Sequence, residues 1–210
     1  MQNNRWLFLL LVLSVIVSYL SSLFLDLDVL ISTSLSSQFT QSQIDEYLTF
    51  KNKWELLSYL VIPILLFLKV LVIAAILDLG CFLYEYKIKY KKLFNLVIKA
   101  EFLFLGVIIL KTVWFYFFQT NYTLEDLQYF YPFSLLNIID YEDLEPWFVY
   151  LLQVINLFEV VYWVLLAYLL DKELRTPKGE HTGIKIVAST YGVGLLIWVV
   201  AIMFFTLNMS

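Results

Sequence analysis

The chain has 210 residues, of which 61% are hydrophobic, 19% aromatic and only 15% charged, with a formal net charge of −4. A soluble domain is about a quarter charged, so this composition excludes an ordinary water-soluble fold and makes lipid the solvent. One cysteine, Cys81, and one histidine, His181, exclude an internal disulfide and any two-histidine metal site.

A hydrocarbon core about 30 Å thick needs roughly 20 apolar helical residues. Five runs meet that length: 6–25, 56–84, 100–118, 147–170 and 186–207. The expectation is a single-domain, all-α integral membrane bundle of five transmembrane helices, with short interfacial helices in the outer loops. Span 1 follows Arg5, but the segment after it, "SYLSSLFLDLD", offers no small-x-small cleavage site, so it reads as an uncleaved anchor. Pro63 is expected to kink span 2.

Ser42, with Asp45 three residues on, and Thr123, with Asp126 three residues on, read as N-caps of short outer helices. The stretch "YFYPFSLLNIIDYEDLEPW" is interrupted by Pro132 and Pro146 and rich in aromatic rings. It is expected to lie on the outer membrane surface or to re-enter from it. The outer loop 121–146 carries Glu125, Asp126, Asp140, Glu142, Asp143 and Glu145 and no basic residue.

Basic residues orient the chain. Arg5 precedes span 1; Lys87, Lys89, Lys91, Lys92 and Lys99 lie between spans 2 and 3; Lys172, Arg175, Lys178 and Lys185 lie between spans 4 and 5. Only Lys51 and Lys53 fall in the opposite loops. The N-terminus is therefore expected in the cytoplasm and the C-terminus outside, in a bacterial inner membrane. Lys87, Lys89, Lys91 and Lys92 alternate with tyrosine and aliphatic residues and form a candidate docking strip for anionic lipid headgroups. No recognition fold accompanies them, so nucleic acid is not an expected partner.

Lys69, Lys111 and Glu159 fall near mid-depth, roughly 16–20 Å from their span ends. A charge there costs at least about 2.5–3.5 kcal/mol and persists when paired, hydrated or neutralised. Gln153, Asn156, Glu159 and Trp163 share one helical face, which is expected to point into the bundle. The simplest pairing joins Glu159 to Lys111 or Lys69 and leaves one lysine in surplus, to be neutralised by burial, an anion or a partner's carboxylate. Asp78 and Glu101 are supporting polar residues expected nearer the cytoplasmic surface, within reach of water. Ser14, Ser18 and Ser21 in span 1, and Ala188, Gly192 and Gly194 in span 5, mark helix contacts.

No HExxH, GxSxG, P-loop or GxGxxG occurs, and Cys81 and His181 lie apart in sequence. Neither enzymatic chemistry nor a cofactor is expected. "NYT" at Asn121 and "NMS" at Asn208 have the form of glycosylation sequons.

The stretch "LLQVINLFEVVYWVLLAYLL", a short charged loop and "IKIVASTYGVGLLIWVVAIMFF" resemble the last two spans of the Yip family, through Asn156, Phe158, Trp163 and the run from Ser189 to Gly194. That family consists of five-span proteins of membrane trafficking, and the resemblance implies five spans with the N-terminus inside. Eukaryotic members carry a long region before the first span, whereas span 1 here starts at Trp6, and a sizeable outer segment separates spans 1 and 2. "LLNIID" and "LQVINLFEVVYW" also resemble patterns in uncharacterised bacterial membrane proteins. The combined expectation is a non-enzymatic accessory or scaffold subunit that binds a membrane partner. The alternative is a small transporter or ion-conducting protein using the Lys69–Lys111–Glu159 cluster.

Overall fold

The structure, a computed structural model, describes residues 3–139, 144–175 and 180–209. Asp140, Glu142 and Asp143 of the acidic outer loop, and Lys178, lie outside the described residues. The helices are α1 Asn3–Phe24, α2 Leu27–Leu35, α3 Gln41–Leu83, α4 Tyr90–Phe117, α5 Leu124–Tyr129, α6 Pro146–Val154, α7 Leu157–Leu174, α8 Thr182–Val187 and α9 Val193–Met209. A 3-10 turn covers Leu135–Asn137, and a π turn at Ala188–Gly192 joins α8 to α9.

Four helical stretches are long and apolar enough to cross a membrane: Arg5–Phe24, Leu57–Leu83, Tyr90–Phe117 and Thr182–Asn208. The fourth expected span is not one helix. Chain 147–170 breaks at Ile155 and Asn156 into α6, of 9 residues, and α7, of 18 residues. Neither half matches the other four, because α6 is short and α7 carries Glu159, Asp171, Lys172 and Glu173.

Two further boundaries differ from expectation. The short helix expected after Ser42 is continuous with span 2, giving α3 its 43 residues, and its capping box is formed by Thr40 and Gln43 instead. Nothing between them breaks a helix: "DEYLTFKNKWELLSYL" has no glycine or proline, and Pro63 sits inside the continuing helix. Span 3 begins ten residues earlier than expected, at Tyr90. The capping box at Thr123 and Asp126 opens α5 as its sequence predicted.

The core sits where α1, α3 and α7 surround α4, the most enclosed of the four apolar stretches, 44% of whose window is buried against 11% for α1. Leu93, Leu96, Val97, Ile98 and Ala100 of α4 meet Val70, Ala74 and Leu77 of α3 and Leu166 and Leu170 of α7. Exposed apolar side chains such as Phe8, Phe82, Phe118 and Leu196 ring this core, as a lipid-facing surface requires. Close approach is set by small residues. A Cβ on Gly192 would meet the Trp163 ring at 2.5 Å, and one on Gly80 would meet Ile186 and Thr190 at 2.8 Å. Gly192 was expected at a contact, and so was Gly194, which lies against Ile76; Ala188 instead faces outward. In α1, Ser14 is buried and Ser21 bonds Thr112 of α4 at 2.7 Å.

Candidate functional site

The break between α6 and α7 is built from two sides. On the helix side, Asn156 is the N-cap of α7: its Oδ1 accepts from the Glu159 amide at 2.8 Å, and its Nδ2 donates to the carbonyls of Gln153 and Val154. On the loop side, the segment after α5 folds back onto the break. The Leu135 amide donates to the Ile155 carbonyl and the Leu157 amide to the Phe133 carbonyl, at 3.0 and 3.1 Å. These two bonds flank an antiparallel bridge between Ser134 and Asn156, so those two side chains stand close together on one face. Irregular backbone inside a membrane must have its polar groups satisfied by protein or a wet cavity. Here a returning loop satisfies the Ile155 carbonyl and the Leu157 amide. Ser134 is buried, and its hydroxyl has no hydrogen-bond partner among the described residues.

Asn156→Ala is expected to cost about 1–2 kcal/mol through loss of the cap, and Asn156→Asp less, because the acceptor is kept. Thermal unfolding in detergent measures both.

Glu159 follows at the third position of α7. Its Oε1 accepts from the Tyr191 hydroxyl at 2.7 Å and from the Trp163 indole N–H at 2.9 Å. Both donors are neutral, so Glu159 does not pair with Lys69 or Lys111 as expected. Lys69 Nζ instead meets Glu101 Oε2 at 2.8 Å, and the second Glu101 oxygen, Oε1, accepts from the Tyr162 hydroxyl at 2.6 Å. Glu101 is fully buried, with 1% of its surface exposed. Its expected place near a watery surface is corrected: it is the centre of the network. The ammonium of Lys69 also sits 4.0 Å above the Phe104 ring. Tyr162 and Tyr191 meet edge to face at 5.5 Å between centroids, linking the Glu101 half to the Glu159 half. Glu159 lies within electrostatic reach of both Lys69 and Glu101.

Lys111 is elsewhere. Its ammonium donates to the Leu127 carbonyl at the end of α5, and Gln153 Nε2 donates to the neighbouring carbonyls of Gln128 and Tyr129. A helix C-terminus bears partial negative charge and orphan carbonyls, so α5 gives Lys111 a backbone acceptor in place of the expected carboxylate. Asp78 is half-buried on α3 and joins none of these bonds. Beyond α5, Phe115, Gln119, Asp126, Tyr129, Phe130 and Asn137 line an open cavity of about 430 Å³.

The lysine strip is divided. Lys87, Lys89 and Lys91 are exposed, whereas Lys92 pairs with Glu173 of α7 at 2.8 Å. Cys81 is buried, and no cluster of metal-ligating side chains occurs among the described residues.

Sequence reasoning missed Tyr162 and Tyr191. Tyr162 lies three residues after Glu159, on the same helical face, and Tyr191 is the only large polar side chain in the small-residue run "ASTYGVG". The π turn, a feature common at functional sites, aims Tyr191 at α7 and has no sequence signature. Comparison with protein-family models, curated proteins and solved structures finds no match.

Proposed function

We propose that this chain is a small membrane transport protein that moves, or couples to, a proton or a monovalent cation, with Glu159 as the exchanging acid. The observation that carries this reading is the charge set at the broken helix. One ammonium, Lys69, stands against two carboxylates, Glu101 and Glu159, and Glu101 takes the ammonium. Glu159 is left with neutral donors, so one proton or one monovalent cation balances the set. The unpartnered Ser134 hydroxyl beside Asn156 supports the reading, because it offers a further oxygen at the break. Discontinuous helices with such oxygens are a recurrent way to hold ions at mid-membrane.

In this reading α6 and α7 together make a fifth, interrupted crossing of a bacterial inner membrane, with the N-terminus inside and the C-terminus outside. The accessory-subunit reading rested on a buried lysine that needed a partner, and Lys111 finds an acceptor within the chain, the Leu127 carbonyl. It returns as the explanation if transport is absent.

The test is ion flux in proteoliposomes under an imposed potential, read with dyes for protons, sodium and potassium. Wild-type protein should carry at least one of these ions faster than protein-free vesicles, and Glu159→Gln should abolish the difference while unfolding at a similar temperature. Wild-type vesicles as tight as empty ones to all three ions would overturn the proposal.

A further inference from the structure

The lysine-rich face between α3 and α4 has a geometry that transport does not use. After α3 ends, Glu85 turns the chain in the left-handed region, with φ 62°. The Tyr86 amide then bonds the Cys81 carbonyl at 2.8 Å. From there burial alternates: Tyr86 and Ile88 pack on the core, while Lys87 and Lys89 are exposed. Alternation along extended chain puts alternate side chains on one side, about 6.6 Å apart. Lys91 follows in the first turn of α4, also exposed, and the Tyr90 hydroxyl fixes that turn by donating to the Leu71 carbonyl at 3.0 Å. The three lysines are thus held in a short row by a segment anchored at both ends.

The surrounding charges do not neutralise the row. Glu173 is taken by Lys92, Asp171 holds the Gly183 amide, Asp78 is half-buried on α3, and Glu85 pairs with none of the three lysines among the described residues. Lys89 is moreover the N-cap residue of α4, without a side-chain cap, and the first turn holds no acid. Cations at the positive end of a helix repel it, so an anion seated on the row would relieve two unfavourable terms at once. Exposed Tyr84 and Tyr90 flank the row, and exposed Phe82 and Leu83 lie just before it. Rings of that kind favour the headgroup level, and aliphatic side chains favour the acyl level below it.

We propose that Lys87, Lys89 and Lys91 form a binding site for the phosphate of an anionic phospholipid headgroup on the lysine-rich face of the membrane. The inference does not depend on what the Glu159 network does. Each lysine near an anionic surface contributes about fivefold in affinity, so removing all three should weaken anionic lipid binding about a hundredfold.

The experiment uses delipidated full-length protein in detergent, titrated separately with phosphatidylglycerol, cardiolipin, phosphatidylcholine and inorganic phosphate. Binding is read by native mass spectrometry and by the rise in unfolding temperature. The two anionic lipids should bind and stabilise the wild type, and the K87Q/K89Q/K91Q variant should lose about a hundredfold in affinity. A K99Q/K172Q/K185Q control, with the same change in net charge at other exposed lysines, should keep it. Equal binding of phosphatidylcholine, equal loss in the control, or full stabilisation by inorganic phosphate alone would each overturn the site. Because lysines also steer insertion, a measurement free of variants accompanies these. A photoactivatable phosphatidylglycerol on wild-type protein should label the peptide spanning 86–92, and labelling spread evenly over other peptides would contradict the assignment.

Discussion

Glu101→Ala is expected to destabilise the protein by about 3–5 kcal/mol, the usual cost of removing one partner from a buried ion pair. The carboxylate accepts from Lys69 at one oxygen and from Tyr162 at the other, and its side chain is 0% exposed. Its loss leaves the fully buried Tyr162 hydroxyl without an acceptor and the Lys69 ammonium with only the Phe104 and Tyr162 rings against it. The effect should be asymmetric. Lys69→Met leaves the Glu101 carboxylate, 0% exposed at its side chain, with no opposing charge, whereas Glu101→Ala leaves an ammonium that is 42% exposed, so Lys69→Met should cost at least as much as Glu101→Ala. The double variant Lys69→Met/Glu101→Ala should recover part of the loss, because the uncompensated charge goes with its partner. Thermal unfolding of the four proteins in one detergent forms the cycle. Additive costs would show that the pair does not interact.

Gly183→Ala is expected to cost about 3 kcal/mol, at the upper end for overpacking. A Cβ there would lie 2.3 Å from the Ala167 carbonyl oxygen and 2.9 Å from the Asp171 side chain. The obstacle is backbone, which no rotamer change can move aside. The same glycine amide donates to Asp171 Oδ1 at 2.7 Å, so the shift that relieves the clash also breaks the link between α7 and α8. Gly106→Ala is the matched control. Nothing lies within 4 Å of its added Cβ, and alanine is the better helix former by about 0.8–1 kcal/mol. Unfolding temperatures should therefore fall for the first variant and hold or rise for the second.

The apolar crossings were legible because composition and run length measure the requirement that lipid imposes. Run length also misled. From Trp147 to Leu170 the apolar count outweighed a local signal that was present: Asn156 followed three residues later by Glu159 is an N-cap signature, and the structure starts a helix there. Glu159 was found as the odd residue in an oily run, yet its partners were not. Depth counting treats helices as parallel rods and places Glu101 above Lys69, whereas the long Lys69 side chain and the crossing of α3 over α4 bring them to 2.8 Å. The neutral partners, Tyr162, Tyr191 and Trp163, were hidden among 39 aromatic residues. Lys111 was assigned to a carboxylate because backbone carbonyls carry no letter in a sequence; its acceptor is the end of a six-residue helix.

The division of labour between the two acids is open to a direct chemical test. A hydrophobic carbodiimide couples to protonated carboxyl groups that it can reach from the membrane, and peptide mass spectrometry locates the adduct. Glu159, held only by neutral donors, should react in proteoliposomes, and ion flux should fall in step with its modification; Glu101, locked to Lys69 and Tyr162, should not. Modification of Glu101 ahead of Glu159, or full modification of Glu159 with flux undiminished, would contradict the assignment of Glu159 as the working acid.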